Sequence, residues 1–590
     1  MASLRYLLAF PMVFACSDPE PPPVDLEDRP PPPLHTPRWA FEPWISKDIS
    51  SGADTRDFVR GFQERNIPVG VVVLDSPWET NYNTFIPHPV RYPEFGGMVQ
   101  ELRGQGIRTV LWITQLTNDD SFDLEPDGDT YPGPASNYAV AQERGYFVNE
   151  GERHIWWKGA GGSIDFYNPE AIRWWHRQQD PLLDLGVAGW KLDFGDSYVM
   201  TDPVRTKAGP VPHQEYSEAY YRDFWAYGAN RMGTKDFLTM VRPYDESYGF
   251  EGRFFARKEH CPVGWVGDNR RDFLGLEDAL DHLFRSAEAG YEVIGSDIGG
   301  YLDRDDRDLI GGILPFDVEV FARWTGVSAL MPFFQLHGRA NITPWTVPER
   351  VEETVAMYRY WATLHQELVP FFYSLAEEVH RGRSQVTLQP IAELPAWAGD
   401  YRFQVGDAFL VAPLLDHSGH RQVPLPAGAR YYDWWDPTLV HEGGTTITAS
   451  MSGDLLRLPL YVKEGAIVPA EVRGPLTGLG DDNSASGLTV LLAPGRDTRT
   501  FLLHEEDDAV TTITWGPGAA GHTLRLDRLV RPVTLKVLGL APRAVQGEDG
   551  ALTMATNRSS LAPGQWVTEG GVTWVRLAAQ GQGINLNFDL

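Results

Sequence analysis

The run PEAIRWWHRQQDPLLDLGVAGWKLD, residues 169–193, decides how this chain is read. Its first part, 169–185, has the patterning of an amphipathic helix, and 189–193 is a short β-rich run that ends on Asp193. The same alternation recurs on both sides of it. Strands are predicted over 39–44, 69–74, 109–114, 189–193, 238–242, 263–266, 293–296 and 331–335. Helices are predicted over 54–65, 92–103, 169–185, 214–232, 273–289 and 316–330. Eight strands alternating with helices over about 300 residues is the signature of an α/β fold of the (β/α)8 TIM-barrel type. An open doubly-wound sheet is the alternative, but no G-x-G-x-x-G follows a strand, so dinucleotide binding has little support.

At 590 residues the chain is too long for one compact core. The connection after the third strand, 115–169, is long and rich in Gly, Asp, Asn and Pro. It follows the carboxyl end of a strand, where barrel enzymes build their sites. Beyond Arg383 the pattern becomes Val/Thr/Leu alternation broken by Gly and Pro, as in Phe409-Leu410-Val411-Ala412-Pro413 and Thr534-Leu535-Lys536-Val537-Leu538. This predicts C-terminal all-β sandwich domains. The division is a signal peptide at 1–16, a Pro-rich tether at 17–37, a barrel at 38–385, a proximal sandwich at 386–472 and a distal one at 473–590.

The net charge of -29 argues against nucleic acid and anionic membrane surfaces, which demand clustered Lys and Arg. Acidity also serves solubility, so charge alone does not name a substrate. The 20 Trp fit heavy cores and equally fit sugar clefts, where an indole covers the apolar face of a pyranose. Cys16 and Cys261 are the two cysteines, with no Cys/His spacing for zinc, and neither metal nor cofactor is expected. Arg5 followed by the apolar run 6–15 reads as an export signal, too short to span a bilayer as a mature helix. Val13-Phe14-Ala15-Cys16 resembles a bacterial lipobox. A cell-envelope lipoprotein anchored through Cys16 is therefore preferred over a freely secreted protein, and the oligomeric state is left open.

Asp75 follows the second predicted strand, Asp193 ends the fourth, Asp268 follows the sixth and Asp297 the seventh. Any one such Asp is more often a helix cap or turn former than a catalyst. Four at one rim, together with Lys191, Arg242 and His337, exceed what capping needs. Lys191 lies two residues before Asp193 and so points to the same side of the strand, where an ammonium favours an ionised carboxylate. A structural ion pair inside the barrel is the alternative for Lys191.

Lys191-Leu192-Asp193-Phe194-Gly195-Asp196 resembles the nucleophile signature of glycoside hydrolase family 31. Gly264-Trp265-Val266-Gly267-Asp268-Asn269 resembles its acid/base signature, and Gly295-Ser296-Asp297-Ile298-Gly299-Gly300-Tyr301 the segment that follows. Trp157-Lys158-Gly159, Ile164-Asp165-Phe166-Tyr167-Asn168-Pro169 and Trp174-Trp175 resemble it too, and the likeness runs from Trp39 to Pro469. The resemblance implies a retaining exo-α-glycosidase, with Asp193 the nucleophile and Asp268 the general acid/base. α-Glucosides or α-xylosides are the substrates that it implies first. Asp75 and His337 look like the family's ligands for sugar hydroxyls, and Arg242 like an arginine near the same sugar, with Arg253 its competitor on spacing. Trp112 and Trp157 would wall the sugar pocket, although each alone fits ordinary packing. Asp297 either touches ligand or organises the Gly299-Gly300 turn.

Two departures bear on substrate. The tether runs almost directly into the first barrel strand, where the family carries an N-terminal β-sandwich, so leaving-group subsites would come from the barrel's own loops. Asp196 stands where many members have Glu, and Gln335-Leu336-His337 replaces an Arg-containing segment. A transglycosylase, an α-galactosidase and a non-catalytic surface carbohydrate-binding protein are the alternatives. Retention of both Asp193 and Asp268 counts against the last.

Overall fold

The computed structural model describes residues 29–123, 131–246, 252–304, 312–392, 396–485 and 487–590. The signal-like run 1–16, with Cys16, and residues 17–28 of the tether lie outside the described residues. Eight parallel strands make one sheet: β1 (Trp44–Lys47), β2 (Val71–Leu74), β3 (Arg108–Ile113), β4 (Gly189–Leu192), β5 (Leu238–Val241), β6 (Val263–Trp265), β7 (Ile294–Gly295) and β8 (Gln335–Leu336). They pair in the order β8-β1-β2-β3-β4-β5-β6-β7, and a parallel bridge from Asp297 to Gln335 brings β7 back to β8. This is the (β/α)8 barrel that the alternation predicts. Strand β2 is Val-Val-Val-Leu and wholly buried, because a parallel strand is covered on both faces and needs a continuous apolar run.

The covering helices are α1 (Gly52–Gln63), α2 (Phe95–Gly104), α3 (Pro169–Asp184), α4 (His213–Met232), α5 (Phe273–Glu288), α6 (Val318–Ser328), α7 (Val351–Glu367) and α8 (Val369–His380). Their starts are written in the sequence. Ser51, Asn168, Asp272 and Asp317 each accept a hydrogen bond from a first-turn amide of α1, α3, α5 and α6. Between β5 and β6 a hairpin (Tyr244–Asp245 with Arg253–Phe254) and a short 3₁₀ turn (Lys258–His260) stand where the other crossovers have a helix.

The first and last strands differ from expectation. Residues 39–44 were read as a strand, but a 3₁₀ turn occupies Arg38–Phe41 and β1 begins at Trp44. Pro43 has no amide hydrogen to give a ladder, and only its carbonyl joins the sheet edge, accepting from Gly70 N at 2.9 Å. At the other end, Leu330 N and Met331 N bond back to the Val327 and Ser328 carbonyls, so the turn after α6 consumes residues read as strand.

The long connection after β3 carries its own antiparallel sheet, with Gly159–Ser163 between Leu116–Ser121 and His154–Trp156. Its central strand, Gly-Ala-Gly-Gly-Ser, is built for close approach. A Cβ on Gly161 would lie 1.9 Å from the Thr117 carbonyl oxygen.

Beyond α8 the chain is all β. A six-stranded antiparallel sheet runs from Leu388–Pro390 to Leu460–Lys463, with the hairpin His420–Pro424/Thr446–Ser450 beside it. Two further six-stranded sheets enclose a separate core that includes Val490, Leu503, Trp515, Leu535 and Phe588. Ile467–Ala470 pairs with Leu488–Leu492, so this second unit takes a strand from ahead of residue 473. The β units are bolted to the barrel by buried groups. Arg323 of α6 donates to the carbonyls of Met451, Asp454 and Arg457 at 3.1, 2.7 and 2.8 Å. Among the described residues no helix is long and apolar enough to cross a membrane.

Candidate active site

A parallel barrel delivers the residue after each strand to one rim. Asp48 follows β1, Asp75 β2, Asp193 β4, Arg242 β5 and His337 β8, while Asp268 and Asp297 lie a few residues beyond β6 and β7. All seven are buried.

Arg242 joins the two principal carboxyl groups. Its Nη2 donates to Asp193 Oδ1 at 3.0 Å and to Asp268 Oδ2 at 2.7 Å, its Nε reaches Asp193 Oδ1 at 3.2 Å, and Nη1 bonds Asp245. The plane of the guanidinium lies near the Phe194 ring, 4.2 Å from its centroid, and the Trp265 ring, 4.5 Å from its centroid. One oxygen of each carboxyl is thus within hydrogen-bond reach of the same nitrogen, which brings the two acids together at one point of the rim. Of the two arginines weighed from spacing, Arg242 occupies this position. Arg253 turns away and pairs with buried Asp196 at 2.6 Å, where Tyr221 and Ser217 also donate. That ion pair holds the Asp196 carboxyl below its usual range against the opposing effect of burial.

Asp193 also accepts from Trp112 Nε1 at 2.9 Å on Oδ2 and from Phe194 N at 2.9 Å on Oδ1. Trp112 was expected as a wall of the sugar pocket, and the structure makes it a donor to this carboxylate. Trp157, the other expected wall, is half-buried and stacks on Phe194 with 5.4 Å between ring centroids. The Asp268 carboxyl is pushed up to about 6, first by burial and then, against the pull of Arg242, by the charges of Asp193 and Asp245. Burial and these neighbouring acids account for a carboxyl that keeps its proton in mildly acidic solution.

Lys191 makes the ion pair weighed as its alternative, its Nζ bonding Asp75 Oδ2 at 2.6 Å and approaching His337 Nε2 to 3.2 Å, with Asp193 also near enough to favour its charge. Burial works against its charge, yet the acidic groups around it, Asp75 first, hold its pKa above the ordinary lysine value. His337 is neutral, because burial, and then the Lys191 charge, push its pKa well below the usual range. Asp48, Asp75 and His337 bring one ligand atom each within 4.8 Å of one another. Lys191 Nζ already bonds two of the three, so an ammonium is the cation of this cluster.

Asp48, Asp245 and Tyr301 are the site residues that sequence reading missed. Tyr301 donates to Asp48 Oδ2 at 2.9 Å, and His337 Nε2 lies 3.7 Å from Asp48 Oδ1. The signal for Asp48 existed, as a carboxylate just after a strand, but the strand had been placed too early. Asp297 accepts from Gln335 Nε2 at 2.7 Å, and its backbone carbonyl accepts from Gly300 N at 3.0 Å. Gly299 and Gly300 have φ of +86° and +81°, and a Cβ on Gly300 would lie 2.4 Å from the Arg270 carbonyl oxygen, so this turn requires glycine.

The chain was compared with known proteins. The model of the glycosyl hydrolases family 31 TIM-barrel domain matches residues 33–375, and that of the glycosyl hydrolase family 31 C-terminal domain matches 387–468. An alpha-glucosidase 2 of Bacillus thermoamyloliquefaciens is 25% identical over 469 residues, covering 75% of this chain and 54% of that protein. An alpha-xylosidase of Emericella nidulans is 23% identical over 475 residues, covering 76% and 56%. The chain therefore spans about half the length of the curated relatives it matches. Among solved structures, a family 31 dextranase of Flavobacterium johnsoniae complexed with glucose superposes with a TM-score of 0.76 at 19% identity, over 95% of this chain and 71% of that one. The cycloalternan-forming enzyme of Listeria monocytogenes, in complex with a pentasaccharide substrate, gives 0.78 at 18%, over 94% and 54%. At such identity the structural likeness speaks for the fold, while the domain models cover well over half of the chain: it belongs to glycosyl hydrolase family 31.

Proposed function

We propose that this protein is a retaining exo-α-glycosidase that removes a terminal α-linked sugar, an α-glucoside or α-xyloside, through a covalent glycosyl-aspartate. The observation that carries the reading is the single guanidinium nitrogen shared by Asp193 and Asp268. Retention needs two carboxyl groups close enough for one to attack the anomeric carbon while the other protonates the leaving oxygen, about 5–5.5 Å. Asp193 is the attacking group, oriented by Arg242, Trp112 and the Phe194 amide. Asp268 enters the first step protonated, passes its proton to the leaving oxygen, and then takes one from water as the ester is hydrolysed. Asp75, fixed by Lys191, and His337 are the sugar-hydroxyl ligands. Relatives bearing the names alpha-glucosidase and alpha-xylosidase support the substrate class.

A panel of chromogenic α-glycosides tests the proposal with wild type, Asp193→Ala and Asp268→Ala. Turnover by wild type should vanish in Asp193→Ala. Asp268→Ala should lose most activity on poor leaving groups and retain more on activated aryl glycosides. A wild type that binds sugar but turns over none of the panel, with binding unchanged in Asp193→Ala, would overturn the enzyme reading. Export with a lipid on Cys16 is part of the proposal and rests on Val13-Phe14-Ala15-Cys16. Fatty-acid labelling that fails to mark the protein, or marks Cys16→Ser equally, would remove it.

A further inference from the structure

The seam at which the barrel closes holds two acceptors that have nothing to accept. β7 and β8 meet through the Asp297–Gln335 bridge, backed by Ile298 N donating to the Gln335 carbonyl at 3.0 Å. The side chains of the same two residues meet as well. Gln335 Nε2 donates to Asp297 Oδ1, both residues are fully buried, and the remaining atoms, Asp297 Oδ2 and Gln335 Oε1, are buried without a hydrogen-bond partner. An orphaned buried acceptor bears its desolvation penalty with nothing to offset it, so a pair of them on two side chains already joined calls for an explanation. Turning the amide over exchanges its nitrogen and oxygen but leaves one acceptor opposite the carboxyl. A carboxylic acid and a primary amide are complementary, N–H to C=O and O–H to C=O, and here the first contact is present. A proton on the carboxyl is the donor that these orphaned acceptors call for.

We propose that Asp297 carries a proton in the folded protein and forms a doubly hydrogen-bonded acid–amide pair with Gln335. The pair makes Asp297 a neutral positioning residue that locks the β7–β8 seam at the mouth of the site and keeps another negative charge away from Asp268 and Lys191. The charged and titratable groups acting on it come from three directions: Lys191 on β4, Arg242 after β5 and Asp268 after β6. On β8 its partner is an amide, that of Gln335. Burial, opposed by Lys191 and reinforced by Asp268, raises this carboxyl to about 8, which agrees with a retained proton.

Infrared difference spectroscopy on the full chain in D2O tests this directly, independently of any glycosidase activity. At pH 7 wild type should show the C=O stretch of a buried protonated carboxylic acid, absent in Asp297→Asn and titrating away near pH 8. Gln335→Arg, which leaves Asp297 in place but gives it a cation, should also abolish the band. Thermal unfolding supplies a second readout. A carboxyl whose pKa rises on folding stabilises the protein below its unfolded-state pKa, and that stability is lost as pH rises through the folded value. The midpoint of Asp297→Asn should therefore gain on wild type steadily between about pH 4 and 8. A wild-type-minus-variant difference spectrum with no carboxylic-acid band for Asp297→Asn or Gln335→Arg, or a midpoint difference flat across that window, would refute the protonated pair. Loss of the glycosidase proposal alone would leave these measurements unmoved.

Discussion

Asp193, Asp245 and Asp268 all converge on the guanidinium of Arg242, so removing that side chain leaves three acids in a pocket with little water to shield them. Arg242→Ala should lower kcat/KM on the order of 10²–10³-fold, the usual effect of losing a preorganised donor, as steady-state assays would register. It should also destabilise the fold by about 3–5 kcal/mol in denaturant titration, as for other broken buried pairs. Arg242→Lys should recover little, because an ammonium cannot reproduce a fork that addresses three carboxyl groups. The pH profile follows from Asp268. Burial raises it to about 6, only its protonated form can act as an acid, and kcat/KM should fall as pH rises through that value. A profile flat from about pH 5 to 8 would count against the role. Much of this was legible in the sequence. Asp193 and Asp268 stood in recognisable motifs, Asp75, Arg242 and His337 each follow a strand, and Lys191 stands two residues before Asp193. The partnerships were not legible, since sequence spacing says that Lys191 and Asp193 share a side of a strand but not that Asp75 captures the lysine.

Among the elements, the small sheet over the barrel mouth is the least tolerant of change. Gly161 lies in its central strand, with the Thr117 carbonyl where a methyl would go, so Gly161→Ala must separate two paired strands. The sheet holds Trp156, whose Nε1 donates to Asn118 Oδ1 at 2.7 Å and whose ring lies parallel to Trp112, 6.4 Å away. Trp112 in turn donates to Asp193. We expect Gly161→Ala to depress kcat more than thermal stability, measured by comparing the turnover loss with the shift in unfolding midpoint. A stability loss with kcat intact would mean that the sheet is not coupled to Asp193. The helices here were readable from caps and periodicity, and the middle strands from their apolar runs. The first and last strands, β1 and β8, were misplaced because turn hydrogen bonds and Pro43 override β-propensity, and that shift hid Asp48.

In the whole molecule, the distal sandwich attaches to the barrel away from its mouth. Arg38, just ahead of β1, pairs with Glu471 at 2.8 Å, and Lys235, just ahead of β5, donates to the Glu506 carbonyl at 2.6 Å. Glu471 also pairs with Arg531 at 2.8 Å. These contacts lie at the amino ends of the strands, opposite Asp193 and Asp268. Arg323→Ala, which strips three carbonyls of their donor, should lower the unfolding midpoint by several degrees with kcat/KM nearly unchanged. Parallel losses in both would show that the buttress reaches the chemistry. The two-ended layout also fixes an orientation. A molecule immobilised on a bead or electrode through its distal sandwich would hold its carboxylate-lined opening toward the bulk liquid, so diffusion of a glycoside into it should match that of the free protein.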